Sequence, residues 1–329
     1  MRVLLLLALV SGCGGAVEGT TDAGSEAGLA LLGDDGGAPS LDLADPAGPP
    51  YPIVLVHGMA GFRNIGSLEY FYGVPEALRK DGHDVWVSVA DPINDSEVRG
   101  AQVATYVQTV LAMTGKRKVN LIGHSQGGFD VRYVASTMGE HVAAVVTIAA
   151  PMAGDPLADI VVEKLQSFQP ALDALLNVYG AVAGYDSNAQ ACIDNLSTMG
   201  ATLFFERHPD DRRVSYYSIA GRSEGSRGDP DCDSSRVPPF IQKWNDAVDT
   251  LNPIFGASAA ILDGLTPKPI HDGLVPVLTA RHGTFLGCIP ADHMSEVNQL
   301  AGSTPTKDNP FDAVRFYRDL ADWLVEQGF

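Results

Sequence analysis

One short run of residues has the composition and position of a catalytic serine turn. The run Gly123–Gly128 places Ser125 between glycines two positions away on either side. An apolar stretch, residues 118–122, precedes the run, and a helical pattern from about residue 126 follows it. A sharp strand-to-helix turn of this kind holds a serine hydroxyl above a sheet, where it can attack an acyl carbonyl. The pattern therefore predicts Ser125 as a nucleophile rather than as a helix-capping serine.

A serine nucleophile needs a general base, and that base needs a carboxylate to orient it. With this turn the order along the chain is serine, acid, histidine. His293 lies in a polar loop late in the chain and is the predicted base, with His282 as its competitor. Asp272, at a turn beside an apolar run, is the predicted carboxylate, and Asp263 is a weaker candidate. Asp292 is set aside because side chains of adjacent residues rarely converge.

The negative charge that develops during acyl transfer needs hydrogen-bond donors. The backbone N–H of Gln126, directly after the nucleophile, is the first predicted donor. The second comes from the loop after an early strand, which ends at His57 and Gly58, so the backbone N–H of Met59 is predicted. His57 itself is interpreted as a histidine that orders the loop, without a catalytic role.

Short apolar strands alternate with helical patterns along most of the chain. Such alternation favours crossover connections and an α/β fold, with a mostly parallel central sheet flanked by helices. No internal repeat is present, so residues 50–329 are predicted to form one domain. The predicted strands are 52–56, 85–89, 118–122, 143–148, 214–219 and a run around 274–277, and the predicted helices include one closed by Gly115, one over about 126–138, and a last one carrying Phe311 to Leu324 on one face.

The N-terminus has the features of an export signal. Arg2 is followed by an apolar run and then by Ser11, Gly12 and Cys13, so residues 1–12 are predicted to be a signal peptide. The residues before Cys13 resemble the processing site of bacterial lipoproteins, in which this cysteine is lipidated and becomes the first residue of the mature protein. An ordinary signal peptide is the alternative. We expect export and lipid anchoring at the bacterial outer membrane or cell surface.

Residues 13–49 differ in composition from the rest of the chain. The part from residue 14 to 49 holds nine glycines, five aspartates and two glutamates, with no lysine, arginine or aromatic residue. Such a segment buries too little apolar surface to offset the entropy of ordering it. We expect it to be a disordered, acidic, glycine-rich tether that follows the lipidated Cys13.

Overall composition excludes several classes of protein. The 329 residues carry 22 Lys+Arg and 40 Asp+Glu, for a net charge of −18, which disfavours binding to a nucleic-acid backbone. Hydrophobic residues make up 45% of the chain, which is too much for a wholly disordered protein. No stretch reaches the roughly 18 consecutive apolar residues of a membrane-spanning helix. Apart from Cys13, an exported chain with Cys192, Cys232 and Cys288 predicts one disulfide and one free thiol, with all three pairings open.

Several blocks together resemble one family of enzymes. The chain is similar to the secreted true lipases of the Pseudomonas–Burkholderia type, within the α/β-hydrolase superfamily. The blocks occur in the family's order and cover most of residues 51–327. They are Tyr51–Met59, Leu68–Gly73, Val119–Gly128, Arg132–Ala135, Val214–Ser218, Asp272–Val275 and His293–Gln299.

The resemblance implies a serine carboxylic-ester hydrolase, most simply a triacylglycerol lipase that acts on lipid or ester substrates at a lipid–water interface. It points to Asp272 and His293 as the partners of Ser125, with no cofactor required for the chemistry. It also implies a dedicated folding chaperone, as secreted relatives often need. A short-chain esterase, a phospholipase or a polyester depolymerase would use the same groups. An inactive surface-anchored binding protein is the alternative from another class.

The resemblance also implies a structural calcium ion near the catalytic histidine. The family's ligands are two aspartates, the carbonyl at a glutamine position and another carbonyl. Asp249 and Gln299 match two of these positions, but Ser295 stands where the family has its second aspartate. Because calcium favours carboxylate ligands, we expect this departure to weaken the site. The resemblance further implies a helical lid, which we expect within about 152–207, with a fixed cap as the alternative.

Overall fold

The computed structural model describes residues 45–62, 64–65, 68–164, 187–223, 232, 237–244, 247, 249–299, 305, 307 and 309–329. The predicted signal peptide, Cys13 and nearly all of the tether lie outside these residues. The compact unit begins at Pro46 rather than at residue 50. The carbonyl groups of Ala47 and Gly48 accept hydrogen bonds from the Arg117 N–H and the Lys116 Nζ, at 3.1 and 2.8 Å.

A six-stranded, wholly parallel sheet forms the centre of this unit. Its order is β4-β1-β5-β6-β7-β8. A separate antiparallel pair, β2 with β3, lies between β1 and the first helix in the chain. The strands are β1 Ile53–Val56, β2 Asn64–Ile65, β3 Leu68–Glu69, β4 Val85–Val87, β5 Val119–His124, β6 Val142–Ile148, β7 Ser215–Gly221 and β8 Thr284–Ile289.

Helices cover both faces of the sheet. They are α1 Val74–Lys80, α2 Ser96–Thr114, α3 Gly127–Thr137, α4 Pro156–Lys164, α5 Ala189–Leu196, α6 Thr198–Arg207, α7 Pro239–Gln242, α8 Gly256–Asp263, α9 Val277–Ala280 and α10 Ala313–Glu326. Short 3₁₀ turns occupy Gly139–His141, Pro253–Phe255 and Ser295–Val297. Within the described residues, no helix combines the length and apolarity needed to cross a membrane.

The central strands are buried and mostly apolar because each face of the sheet has its own hydrophobic core. In β1, Ile53 and Leu55 join a cluster with residues of α1 and α10, whereas Val54 and Val56 join a second cluster with residues of α2 and α3. All residues of β1, β5 and β6 are buried. Strands covered on both faces lose the alternation of polar and apolar residues, which is why these runs predict a parallel sheet.

Most predicted elements are present, and the α/β class is confirmed. The helix that ends at Gly115 is there, and Gly115 adopts the left-handed conformation with φ of 69°. The strand predicted around 274–277 is wrong. Asp272 Oδ1 accepts hydrogen bonds from the N–H groups of Leu274 and Val275, which folds the run into a turn that leads into α9. The actual neighbour of β7 is β8, whose pattern is interrupted by Gly287 at φ of 121°.

The expectation of one disulfide and one free thiol is confirmed. Cys232 is bonded to Cys288 of β8, and Cys192 is a buried free cysteine in α5. The predicted lid, about 152–207, is described at its two ends only, through α4 and through α5 with α6. Residues 165–186 lie outside the described residues.

Candidate active site

Ser125 sits at the turn between β5 and α3 with φ of +56°, a left-handed conformation that serine rarely adopts. The neighbouring glycines make this turn possible. A Cβ atom at Gly123 would lie 2.3 Å from the carbonyl oxygen of Gly127, and one at Gly127 would lie 2.4 Å from the carbonyl oxygen of Val56. Both positions therefore exclude any side chain. The turn leaves Ser125 half-buried at the carboxyl end of the sheet.

Asp272 and His293 come from different loops and meet in a direct hydrogen bond. His293 Nδ1 lies 2.7 Å from Asp272 Oδ2, and the His293 backbone N–H donates to the Asp272 carbonyl at 3.0 Å. Asp272 is fully buried, and His293 is nearly so. Burial lowers the pKa of His293, but the nearby Asp272 carboxylate outweighs burial and holds that pKa above its ordinary value.

Ser125 is next in sequence to a residue that contacts this pair, and Ser125 itself makes no hydrogen bond to the pair. His124, its neighbour in sequence, places its ring 4.6 Å from the ring of His293, centroid to centroid. Across the described residues, the Ser125 hydroxyl has no hydrogen-bond partner. Catalytic hydrogen bonds are often long before substrate binds and tighten in the complex.

Both predicted oxyanion donors have backbone N–H groups that point to no acceptor among the described residues. Around Met59, by contrast, the neighbouring N–H groups are engaged: Gly58 donates to the Tyr70 hydroxyl at 3.0 Å, and Ala60 donates to a carbonyl at 2.7 Å. Ser125 N–H likewise donates to the Ile148 carbonyl at 3.0 Å. The N–H groups of Met59 and Gln126 thus remain available for a ligand oxygen.

A buried arginine, which the sequence interpretation missed, fixes the loop that carries Met59. Arg99 is fully buried in α2 and donates to the His57 carbonyl at 2.7 Å and to the Asp91 carbonyl at 2.5 Å. It also forms an ion pair with Asp130 of α3 at 2.7 Å. Burial lowers the pKa of Arg99, but the Asp130 carboxylate raises it above its ordinary value. The pair therefore links the loop to the helix that follows Ser125.

His57 has an ordering role in the same loop, as the sequence suggests. Its Nδ1 lies 2.9 Å from the Gly58 carbonyl, and its Nε2 accepts a hydrogen bond from the Ala90 N–H at 3.2 Å. Burial and the charge of Arg99 lower the pKa of His57 to about 3. The ring therefore stays neutral, and its protonation does not enter the chemistry.

The competing candidates lie in contacts of their own. His282 pairs with Asp210, at 3.1 Å, and with Arg132. Asp263 contacts Lys268 and His271 at 2.8 and 3.2 Å. Neither His282 nor Asp263 is bonded to Ser125, Asp272 or His293.

A group of buried side chains next to the pair has the composition of a metal site. The ligand atoms of His124, His293 and Glu296 all lie within 4.8 Å of one another. Both ring nitrogens of His124 are already engaged, Nδ1 with the Tyr70 hydroxyl at 2.7 Å and Nε2 with Glu296 at 2.8 Å. The group is therefore a hydrogen-bonded network, in which no ligand of His124 is left for a metal.

The residues at the family's calcium position do not fit calcium. Asp249 Oδ2 accepts a hydrogen bond from the Asp292 N–H at 2.7 Å, and its Oδ1 accepts one from Asn309 Nδ2 at 2.9 Å. Asn309 Nδ2 also donates to the Pro290 carbonyl at 3.0 Å. Burial and the charge of Asp292 raise the pKa of Asp249 to about 6. Calcium needs six to eight oxygen ligands. The Asp249 carboxylate is already bonded to two N–H groups and Ser295 replaces the second aspartate, so these residues supply too few free oxygen ligands for calcium.

One further carboxyl group acts on His293 from the start of α4. Asp155 Oδ1 accepts a hydrogen bond from the Leu157 N–H at 2.8 Å and so caps that helix. Burial raises its pKa to about 7, with Asp272 adding to that rise and His293 opposing it. The sequence holds a signal for Asp155, because Gly154 and Pro156 mark a helix start. Its proximity to His293 depends on long-range folding.

Comparison with known proteins identifies the family of this chain. Residues 51–192 match a family model described as the alpha/beta hydrolase fold. A triacylglycerol lipase of Vibrio cholerae is 32% identical over 294 residues, which cover 84% of this chain and 88% of that protein. A triacylglycerol lipase of Pseudomonas fragi is 30% identical, with 84% of this chain and 97% of that protein covered.

Solved structures support the fold. A metagenomic carboxyl esterase superposes with a TM-score of 0.58 at 20% identity, over 86% of this chain and 77% of its own. A mature Bacillus licheniformis lipase superposes with a TM-score of 0.52 at 24% identity, over 77% of this chain and 88% of its own.

Proposed function

This chain belongs to the α/β-hydrolase family of bacterial triacylglycerol lipases and is a carboxylic-ester hydrolase, and on that premise we propose that its substrates are acylglycerols. Ser125 is the proposed nucleophile, His293 the base and Asp272 the carboxylate that orients the base. The observations that carry the proposal are the 2.7 Å bond between His293 and Asp272 and the contact of the His293 ring with His124, which directly precedes a serine held at φ of +56°.

The reaction has two halves. His293 takes the Ser125 proton as the hydroxyl oxygen attacks the ester carbonyl, and the N–H groups of Met59 and Gln126 stabilise the resulting oxyanion. His293 then gives its proton to the departing glycerol oxygen, which leaves an acyl-enzyme. His293 takes a proton from water, whose oxygen attacks the acyl carbonyl. His293 then returns the proton to the Ser125 oxygen as the acyl–oxygen bond breaks, which frees the fatty acid and restores Ser125. Asp272 stays ionised throughout, and no cofactor enters these steps.

The test is hydrolysis of p-nitrophenyl esters from acetate to palmitate, together with a triolein emulsion, by the wild type and by Ser125→Ala. We expect activity that rises toward long chains and a wild-type turnover of triolein that Ser125→Ala lacks. Activity limited to the shortest esters would instead make the protein an esterase. A fluorophosphonate probe adds a check, because failure to label a folded wild-type protein at Ser125 would favour the inactive binding protein.

The proposed lid is confined by contacts at both ends. Phe204 of α6 stacks on Phe129 of α3 with ring centroids 5.4 Å apart, and Asn195 Oδ1 accepts a hydrogen bond from the Ser96 N–H at 3.1 Å. Thr198 bonds to Asp159 of α4 at 2.6 and 2.8 Å. These contacts support fixed ends for the proposed lid, about 152–207, with a fixed cap as the alternative. A jump in rate when the substrate forms an emulsion would test it.

Export and anchoring at Cys13 complete the proposal. Lipidation there would keep the enzyme on the cell, near lipid substrates, and a dedicated chaperone would assist its folding. Labelling of the whole chain with a palmitate analogue tests the anchor, with Cys13→Ser as the control that must lose the label. Expression with and without a lipase chaperone from a related bacterium, scored by fluorophosphonate labelling, tests the chaperone.

A further inference from the structure

A line of buried polar groups runs from the loop of Met59 to Asp272, and the proposed reaction uses none of them. The Gly58 N–H donates to the Tyr70 hydroxyl at 3.0 Å, and that hydroxyl lies 2.7 Å from His124 Nδ1. His124 Nε2 lies 2.8 Å from Glu296 Oε2. Tyr70, His124 and Glu296 are all buried, so each proton in the line needs a partner within the protein.

The protons of this line have one consistent direction. The Tyr70 hydroxyl accepts from Gly58, and His124 Nδ1 is the only acceptor near its own proton among the described residues. If Nδ1 carried a proton instead, the buried Tyr70 proton would have no acceptor. His124 is therefore protonated at Nε2 and donates to Glu296.

Glu296 and Asp272 are two fully buried carboxyl groups facing one imidazole. Glu296 Oε2 lies 3.7 Å from His293 Nδ1, and Asp272 Oδ2 lies 2.7 Å from it. Asp272 accepts two further hydrogen bonds from the Leu274 and Val275 N–H groups, at 2.8 and 2.7 Å. Glu296 Oε1 has no donor within hydrogen-bond distance and lies against Gly221, where a Cβ atom would be 1.6 Å away. The Glu296 and Asp272 side chains are hydrogen-bonded to each other, so Oε1 is the oxygen that can carry the shared proton while Oε2 faces His124. With three donors at Asp272 and one at Glu296, the negative charge is better stabilised at Asp272 than at Glu296.

We propose that Tyr70, His124 and Glu296 form a one-directional chain of hydrogen bonds that positions the Asp272 carboxylate, with Glu296 as a neutral carboxylic acid that donates the last bond. The inference rests on the proposed function, since it takes Asp272 and His293 as catalytic. It makes Tyr70, His124 and Glu296 positioning residues that link the oxyanion loop to the acid–base pair.

The charged surroundings agree with this assignment. Burial raises the pKa of Glu296 well above its ordinary value, and contact with Asp272 adds to the rise. Burial and the neighbouring His293 lower the pKa of His124 well below its ordinary value. The other titratable groups that act on this network are Asp292, Asp249, Asp155, Tyr317 and Arg99.

The acid limb of the pH profile distinguishes a neutral Glu296 from a charged one. His293 must be neutral to act as the base, so kcat/KM falls as pH decreases through the His293 pKa. Loss of a neutral donor leaves the Asp272 charge less dispersed, which raises the His293 pKa. Loss of a negative charge would lower that pKa instead.

The experiment compares Glu296→Leu, Glu296→Gln and the wild type in kcat/KM for p-nitrophenyl butyrate across pH, with active sites counted by a fluorophosphonate. Glutamine can accept from His124 and donate to Asp272, whereas leucine can do neither. We expect Glu296→Leu to lose about tenfold or more in kcat/KM, with its acid limb moved to higher pH by about half a unit. Glu296→Gln is expected to recover most of that loss, with its limb back near the wild-type position. Glu326→Gln, an exposed acid at the end of α10, is the matched control.

Two results would overturn the proposal. A limb moved to lower pH in both Glu296 variants would make Glu296 a second charged carboxylate, and an unmoved limb in folded Glu296→Leu would leave it only a structural role. If Glu296→Leu does not fold, Tyr70→Phe breaks the chain at its other end, and wild-type kcat in that variant would equally contradict the proposal. Failure of the proposed function looks different, because the wild type itself would then neither turn over ester nor label at Ser125.

Discussion

The two halves of the active site are held in place by different interactions. The serine half consists of the turn at Ser125 and the loop of Met59. It is held by close backbone packing that only glycine permits and by the Arg99–Asp130 ion pair. The acid–base half, made of the loops of Asp272 and His293, is held by hydrogen bonds among buried carboxyl, imidazole and amide groups. The serine half contains a complete buried ion pair, whereas the acid–base half contains one negative charge shared among several groups. We therefore expect the two halves to respond differently to mutation and to pH.

The largest expected effect comes from the acid–base half. Asp272→Asn should lower kcat by about 10⁴-fold, because the amide no longer stabilises the charged imidazole and favours the wrong His293 tautomer. Thermal unfolding should change much less than the rate. Steady-state kinetics on ester substrate measures the loss, and Asp263→Asn serves as the control that keeps wild-type kcat. Comparable losses of kcat in both variants would contradict the role of Asp272 as the carboxylate that orients His293.

The serine half should respond in stability rather than in rate alone. Arg99→Met leaves the fully buried Asp130 without its partner and should cost about 3–5 kcal/mol in free energy of unfolding. Removing both charges, in Arg99→Met with Asp130→Leu, should recover much of that cost. Urea denaturation measures all three proteins. A double variant as unstable as the single one would mean that the bonds from Arg99 to the loop carbonyls, not the charge pair, hold this half.

The amide of Asn309 provides a smaller test in the acid–base half. Asn309→Ala removes the donor to Asp249 Oδ1 and to the Pro290 carbonyl, while Asp249 Oδ2 keeps the Asp292 N–H, and should cost about 1–3 kcal/mol. Because no calcium is expected at Asp249, chelator should leave the melting temperature of the wild type unchanged. A melting temperature that drops with chelator and returns with added calcium would restore the metal site.

The smallest expected effect is a shift in pH dependence. In its charged form Asp155 raises the pKa of His293, but burial raises the pKa of Asp155 itself to about 7, so the charge acts on the upper part of the acid limb only. Asp155→Asn should therefore lower the His293 pKa and move the acid limb of kcat/KM to lower pH by about half a unit or less. The asparagine oxygen can still accept from the Leu157 N–H, so the cap of α4 is kept. A limb that moves to higher pH would contradict this sign, since removal of a negative charge cannot favour a protonated imidazole.

The same contrast explains what the sequence could predict. Ser125 is readable because the glycines that its turn requires are its neighbours, and the order of acid and histidine narrows the choice to Asp272 and His293. The sequence gives only a weak signal for Arg99: it lies four and eight residues before Val103 and Val107, and so on the same buried face of α2. Glu296, His124 and Tyr70 lie in three distant segments of the chain, and their local sequences do not predict that they contact one another.

Secondary structure followed a similar rule. The runs that form β1, β5 and β6 are mostly apolar, so the sequence identifies them as buried strands. Residues 274–277 are equally apolar, but the Asp272 side chain bonds to the backbone and turns the chain there. Strand β8 is not predicted from the sequence because Gly287 interrupts its apolar pattern. Its partner, β7, also lies more than sixty residues earlier in the chain. Pairing over such a separation is not encoded in any local window.

Because Cys192 is buried, a cysteine introduced elsewhere on the surface can be labelled selectively with a thiol-reactive dye. Its thiol lies 3.5 Å from the Gln126 side chain, and burial raises its pKa to about 12, while Cys232 and Cys288 are bonded to each other. A maleimide dye therefore finds no reactive thiol in the folded unit from Pro46 onward. A single cysteine introduced at the exposed Leu203 of α6 would take up a fluorophore without competing thiols, which would let fluorescence spectroscopy follow the surface of α6 as an emulsion is added.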